Sequence, residues 1–404
     1  MSSMLSKSRV LSGMRPTGLL HLGHYHGVLK NWIQLQHEYE CFFFVADWHA
    51  LTTHYDKTES IEKATWDMVV DWLASGINVG SATLFIQSRV LQHAELHLLL
   101  SMITPLSWLE RVPTYKDQQE KLKEKDLGTY GFLGYPLLQS ADILAYSAGL
   151  VPVGADQVAH VELTREVARR FNFLYGKEKG FEDAVQNALK KMGKKSSQIY
   201  EELRSRYQEK GDQEALSIAR ALIEHQSSVT LSDKERLLGY LEGVGKMILA
   251  EPRALLTPIS KMPGIDGQKM SKSYGNTITL RDLPDEIDKK IRLMPTDPQR
   301  VRRSDPGDPD RCPVWQFHQI YSDEATRDWV RSGCKTASIG CGDCKKKIID
   351  AVEEEIRPIR QRAVEFDSQP EKVRAIIDEG CQRAKEVAEI TMQKVRQSIG
   401  LALQ

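Results

Sequence analysis

Along roughly the first 175 residues, short apolar runs alternate with segments whose apolar positions recur every three or four residues. The runs are Arg9-Val10-Leu11, Cys41-Phe42-Phe43-Phe44-Val45-Ala46, Thr83-Leu84-Phe85-Ile86-Gln87 and Leu150-Val151-Pro152-Val153. Such runs, separated by helical periodicity, predict strands covered on both faces in a parallel sheet. Between about 177 and 250 the pattern turns helical and charge-rich, as in FEDAVQNALKKMG and SQIYEELRSRYQEKG, with no strand-like run. Strand-and-loop character returns at LLTPISKMPGIDGQKMSKS, and from about 285 helical periodicity runs onward through IIDAVEEEIRPIRQRAVEF and DEGCQRAKEVAEITMQKVRQSIG. The predicted architecture is α/β: a doubly wound parallel-sheet (Rossmann-like) domain in two parts, 1–176 and 251–285, a helical insertion at 177–250 and an all-α domain at 286–404.

Composition adds limits. A chain of 404 residues suffices for two or three domains. Lys+Arg and Asp+Glu both number 55, so contact with a polyanion has to come from local basic patches rather than a general positive field. MSSMLSKSRVLSG lacks an apolar core of signal-peptide length, and no run approaches the roughly 18 uncharged residues of a membrane span, which predicts a cytoplasmic protein without a membrane partner. Four of the six cysteines fall between Cys312 and Cys344, a clustering that in a reducing compartment points to a metal before disulfides.

Two segments carry candidate chemistry. SGMRPTGLLHLGH, at 12–24, follows the first strand and opens an amphipathic helix with Val28, Leu29, Trp32 and Leu35 on its apolar side. A strand, a glycine-punctuated turn and a helix N-terminus make an anion site, because unpaired amides and the helix dipole both favour a phosphate. His21 and His24 share a helix face, and Gly23 leaves room for an adenine to lie against the backbone. Alone, two histidines at a helix start read equally well as capping residues. About 245 residues downstream, Lys269-Met270-Ser271-Lys272-Ser273 follows the loop Pro263-Gly264-Ile265-Asp266-Gly267. Two ammonium groups on a loop suit charge building on a leaving pyrophosphate, although such a run by itself reads as a solvated basic loop.

Both segments, in this order on an α/β pattern, resemble the signature motifs of the class I aminoacyl-tRNA synthetases, and within that class the chain resembles the tryptophanyl-tRNA synthetases. The likeness extends through ADWHALT at 46–52, ATLFIQS at 82–88, YPLLQSADIL at 135–144 and VPVGADQVAHVELTREVARRFN at 151–172. It implies a ligase that activates tryptophan with ATP and Mg²⁺ and then charges tRNA(Trp), working as a homodimer. By the same resemblance Thr17, His21, His24, Lys269 and Lys272 carry catalysis, with Arg15, Gly23, Met270, Ser271 and Ser273 also against ATP. Asp142 is placed against the indole nitrogen, Val151 and Val153 wall the ring, His49 and Gln157 orient the polar end of the amino acid, and Asp156 supports that network. An indole offers one donor, and a lone acceptor in an apolar helix such as LLQSADIL fits it. Gln139, also bordering the pocket, and Arg15 depart from the methionine and glutamine of some members. A tyrosyl-tRNA synthetase, a non-catalytic RNA-binding relative and a small-molecule nucleotidylyltransferase are the competing readings.

Cys312, Cys334, Cys341 and Cys344, in the spacing Cys-x21-Cys-x6-Cys-x2-Cys, are predicted to hold one metal centre. Structural zinc usually draws on two close pairs, whereas here only Cys341 and Cys344 are paired, so a [4Fe–4S] cluster is expected and Zn²⁺ is the alternative. Some bacterial tryptophanyl-tRNA synthetases are similar in this. Lys345, Lys346 and Lys347 beside it are expected to meet RNA phosphates. The insertion reads either as a solvated bundle or as a tRNA contact.

Overall fold

The computed structural model describes residues 8–56, 58–113, 128–154, 157–177, 180–256 and 262–402. The chain forms two compact units, one from Gly13–Ile86 and Thr257–Cys381, the other from Ser8–Ser12, Gln87–Leu256 and Gln382–Gln404. Five strands, β1 Arg9–Met14, β2 Glu40–Val45, β3 Ala82–Ile86, β4 Leu150–Val153 and β5 Arg253–Leu256, make one sheet in the order β3-β2-β1-β4-β5. Strand β1 itself runs through both units. Pairing is parallel between β2 and β3, from Cys41 opposite Ala82 to Val45 opposite Ile86, and again between β1 and β4 and between β4 and β5. Each predicted strand therefore exists, and the short β5 at the return from the insertion completes the sheet.

In the first unit the sheet is covered by the helices Lys30–Glu38 and Ile61–Ser75. Trp32 stacks on Phe43 of β2 with ring centroids 4.2 Å apart, and Trp72 meets Trp32 edge-on at 5.1 Å. Phe42, Phe43, Trp32 and Trp72 are all buried, and fully burying each large side chain contributes roughly 1.5–3 kcal/mol. The same unit carries the helices Pro313–Tyr321, Glu324–Lys335 and Cys341–Asp367.

In the second unit the helices Gln92–Ser101, Tyr130–Ala145 and Val158–Tyr175 precede the charge-rich segment. That segment folds as the helices Phe181–Met192, Lys194–Lys210, Gln213–Glu224 and Leu231–Glu242 around a core of its own, which includes Val185, Leu189, Tyr200, Leu216, Ile223 and Leu237. Its return to the sheet is pinned by Asn172, which donates to Leu249 O at 2.8 Å and accepts from the amides of Ile248 and Leu249 at 2.9 Å each. Among the described residues no helix is long and apolar enough to cross a membrane.

Candidate active site

Apart from the four cysteines, the candidate residues fall into one group in each unit. In the first, β1 leads into a turn in which Gly18 adopts a φ of 102°, a conformation that only glycine takes without strain. The turn ends at His21, whose Nδ1 accepts from Gly23 N at 3.1 Å while His24 Nδ1 accepts from His21 N at 3.3 Å. The two rings lie 3.8 Å apart between centroids. A Cβ on Gly23 would come within 2.9 Å of the His21 ring, so the motif needs glycine there for packing as well as for any ligand. The helix predicted to start here does so, but Tyr25–Leu29 form a π-helical turn before regular geometry resumes at Lys30. Such turns are rare and concentrate at functional sites.

The distant basic loop reaches this turn through backbone pairing. Leu22 N donates to Ile278 O and Leu280 N to Leu20 O, both at 3.0 Å, so the segment after the loop lies antiparallel to the histidine turn. Within the loop, buried Asn276 accepts from Ser271 N at 2.7 Å and donates to Asp266 Oδ1 at 2.8 Å and Lys269 O at 3.2 Å. Met270 is buried beneath the loop, and Lys269 and Ser273 are exposed. Lys272 Nζ comes 3.4 Å from Thr17 Oγ1. Behind the turn, fully buried Asp71 accepts from Leu20 N at 3.2 Å and from Arg281 Nε at 2.6 Å. Arg15 is exposed on the same turn, and His49 is buried in the helix Asp47–His54.

Charge follows from this geometry. Burial, and then the field of Lys272, bring His21 down to about 4. Burial, His21 and Lys272 hold His24 well below the usual imidazole range. Both rings are thus neutral near pH 7, as their acceptor roles at Nδ1 require. Burial lowers Lys272 to about 8, against the opposing pull of Asp71. Burial raises the Asp71 carboxyl, with Arg281 acting in the opposite direction.

The second group centres on Asp142, fully buried in the helix Tyr130–Ala145, so it is not a surface carboxylate. Its Oδ1 accepts from Gln87 Nε2 at 2.8 Å and from His93 Nδ1 at 2.6 Å, and His93 Nε2 lies 2.7 Å from Tyr146 Oη. Gln139 is half-buried on the same helix, Val151 and Val153 are buried in β4, and Gln157 precedes the helix Val158–Tyr175. Asp156 lies outside the described residues. Asp71, Arg281, Asn276, Gln87, His93 and Tyr146 were not legible as site residues. Asn276 acts on partners within its own loop, and each of the others is a polar group whose task comes only from a partner far away in sequence.

The four cysteines lie in the first unit as free thiols. Cys312 precedes the helix Pro313–Tyr321, and Cys341 and Cys344 open Cys341–Asp367. His318 Nε2 is 3.1 Å from Cys344 Sγ, and Arg300 approaches Cys334 Sγ at 3.9 Å. Burial, and then the fields of Cys312, Cys334 and Cys341, push the Cys344 thiol up to about 12. Among the described residues, however, no three His, Cys, Asp or Glu side chains stand close enough to hold an ion as they are. Lys345 corrects the expectation of a phosphate contact. It occupies the buried face of its helix with Ile348, Ile349 and Val352, and donates to Arg292 O at 2.7 Å and Met294 O at 2.6 Å. Lys346 and Lys347 are exposed, the former paired with Asp350 at 2.7 Å.

A sheet of this order, with a histidine turn joined to a two-lysine loop, defines a nucleotide-activating α/β enzyme. The family model of class I tRNA synthetases for tryptophan and tyrosine matches residues 4–200 and 234–356, and the chain belongs to that family. A tryptophan–tRNA ligase of Ralstonia nicotianae is 64% identical over 97% of this chain and 98% of its own length. That of Thermotoga maritima is 44% identical, covering 97% and 99%. Among solved structures, tryptophanyl-tRNA synthetase of Campylobacter jejuni complexed with ADP and tryptophan superimposes with a TM-score of 0.73 at 26% identity, over 97% of this chain and 100% of its own.

Proposed function

We propose that the chain joins L-tryptophan to ATP, releasing pyrophosphate, and then transfers the tryptophanyl group to tRNA(Trp). The observation that carries this reading is the stitching of the histidine turn to the Lys269–Ser273 loop in a chain of this family, with Lys272 against Thr17. The tryptophan carboxylate is already a nucleophile, so in-line attack on the α-phosphate needs no general base, and catalysis reduces to positioning and charge stabilisation. Thr17, His21 and His24, with Arg15 and Gly23, hold the adenosine and phosphates. Neutral imidazoles do this by hydrogen bonding without adding charge. Lys269 and Lys272, with Met270, Ser271 and Ser273 shaping the loop, stabilise the leaving pyrophosphate, whose remaining charge Mg²⁺ on the triphosphate would neutralise. A bound polyphosphate opposes the effect of burial on Lys272 and keeps it protonated.

Asp142 accepts the indole N–H, Val151 and Val153 wall the ring, and His49, Gln139 and Gln157 orient the remainder of the amino acid. The helical region at 286–404 reads the anticodon of the tRNA, the insertion at 177–250 stands as a solvated bundle, and the working form is a homodimer in the cytoplasm. Pyrophosphate exchange into ATP, run with tryptophan and tyrosine side by side, tests the reading. Stimulation by tryptophan supports it, and stimulation by tyrosine alone overturns it.

For Cys312, Cys334, Cys341 and Cys344 the proposal is a [4Fe–4S] cluster with a structural role beside the anticodon-reading surface. Four cysteines that come from three separated segments of the sequence support it, since a cubane spans more widely than a single zinc ion. Protein purified without oxygen should be brown, with about four iron and four sulfide per chain; a colourless protein holding one zinc establishes the alternative.

A further inference from the structure

We infer that His93 is a positioning residue for tryptophan selection, fixing the Asp142 carboxylate through its Nδ1–H while Tyr146 fixes the His93 ring. The inference rests on the reading of Asp142 as the indole acceptor.

Asp142 and His93 are both fully buried, and their bond is short, 2.6 Å between Nδ1 and Oδ1. A carboxylate oxygen accepts, so the proton of the shared bond belongs to the imidazole Nδ1, and in that tautomer Nε2 accepts from the Tyr146 hydroxyl at 2.7 Å. Gln87 Nε2 donates to the same Oδ1 at 2.8 Å. Two donors converging on one oxygen set the torsion of the carboxylate about its Cβ–Cγ bond, which a single bond leaves broad. The three supports come from separate places: Gln87 from the turn after β3, His93 from the helix Gln92–Ser101, and Tyr146 from the end of the helix that carries Asp142. Tyr146 is itself held, since Arg9 donates to its carbonyl at 2.5 Å. This is the arrangement by which outer groups orient a binding group, and a loosely aimed acceptor loses discrimination before it loses fold.

The two amide replacements of histidine separate the bonds. In His93→Asn the amide nitrogen lies near the position of Nδ1 and keeps a donor towards Asp142; in His93→Gln it lies near Nε2 and abandons it. The probes are tryptophan and 3-(3-benzothienyl)alanine, an isostere with sulfur in place of the indole N–H. For His93→Gln we expect kcat/KM for tryptophan in pyrophosphate exchange to fall about 10- to 100-fold, as for loss of a charge-assisted bond, with the isostere and the KM for ATP little changed. His93→Asn should keep the tryptophan-to-isostere ratio within about threefold of the parent. Asp142→Asn should collapse the ratio, and the double variant should be no worse than Asp142→Asn alone. A ratio unaffected by Asp142→Asn removes the indole reading and this inference with it. A ratio that Asp142→Asn collapses but His93→Gln leaves intact overturns the positioning role alone. So do losses that multiply in the double variant, or an equal fall for both amino acids. Should His93→Gln fail to fold, Tyr146→Phe carries the test: a several-fold fall in the ratio supports the relay and an unchanged ratio overturns it.

Discussion

Lys272 combines two opposing demands. It needs charge to meet a leaving pyrophosphate, yet burial lowers it to about 8. Because kcat/KM reports the free enzyme, that parameter for ATP should decline as pH rises through about 8, where the ammonium is lost, and Lys272→Arg should carry activity to higher pH. A pH profile indistinguishable between the parent and Lys272→Arg would remove Lys272 from that limb. For Lys272→Ala, kcat should fall with a nearly unchanged KM for tryptophan, because its contact strengthens late in the reaction; steady-state kinetics in which both parameters shift equally would argue for simple binding. For Asp142→Asn, kcat/KM for tryptophan should fall about 10- to 100-fold with ATP binding nearly intact, since an amide still accepts but without charge.

Among the elements, the loop at 262–276 shows what a signature motif leaves unsaid. Its lysines and serines are legible as a motif, but its shape depends on Asn276, whose side chain ties Ser271, Asp266 and Lys269 together. Asn276→Ala removes those bonds from a buried position, at about 1 kcal/mol each. The exchange rate should fall about tenfold or more, while the KM for tryptophan stays near the parent value and the melting temperature drops by only a few degrees. Unchanged exchange would show that the loop closes without its tether. Helix Cys341–Asp367 carries the complementary lesson. Its buried positions recur three and four apart and include Lys345, so the helical periodicity itself places that lysine inward, and its ammonium donates to two carbonyls.

For the whole molecule, the neutral histidines link the active-site turn to stability. The folded pKa of His21 lies near 4, below the 6.5 of an unfolded histidine, so between those values the unfolded chain binds more protons. Stability from this group is therefore fully present above about 6.5 and is lost as pH falls towards about 4, because protonation removes the Nδ1 acceptor that caps Gly23. The melting temperature should decline over that window, and His21→Asn, which does not titrate, should flatten the decline. A slope unaltered in the variant would assign the decline to other groups. The alternation of apolar runs with helical periodicity determined the α/β class, the helical charge-rich stretch and the strands β1 to β4, because burial on one or both faces writes itself directly into residue order, whereas the short, largely exposed β5 is placed only by its pairing with β4. The two signature segments were likewise visible, since their occurrence together, in this order on an α/β pattern, is far more specific than either run alone. Only the tertiary structure decided that Leu22 pairs with Ile278, that Asp71 meets Arg281, and that His93 stands between Asp142 and Tyr146. A lone polar residue in an apolar stretch states that it requires a partner, but the partner comes from a segment tens to hundreds of residues away, and the packing of the elements selects which one arrives.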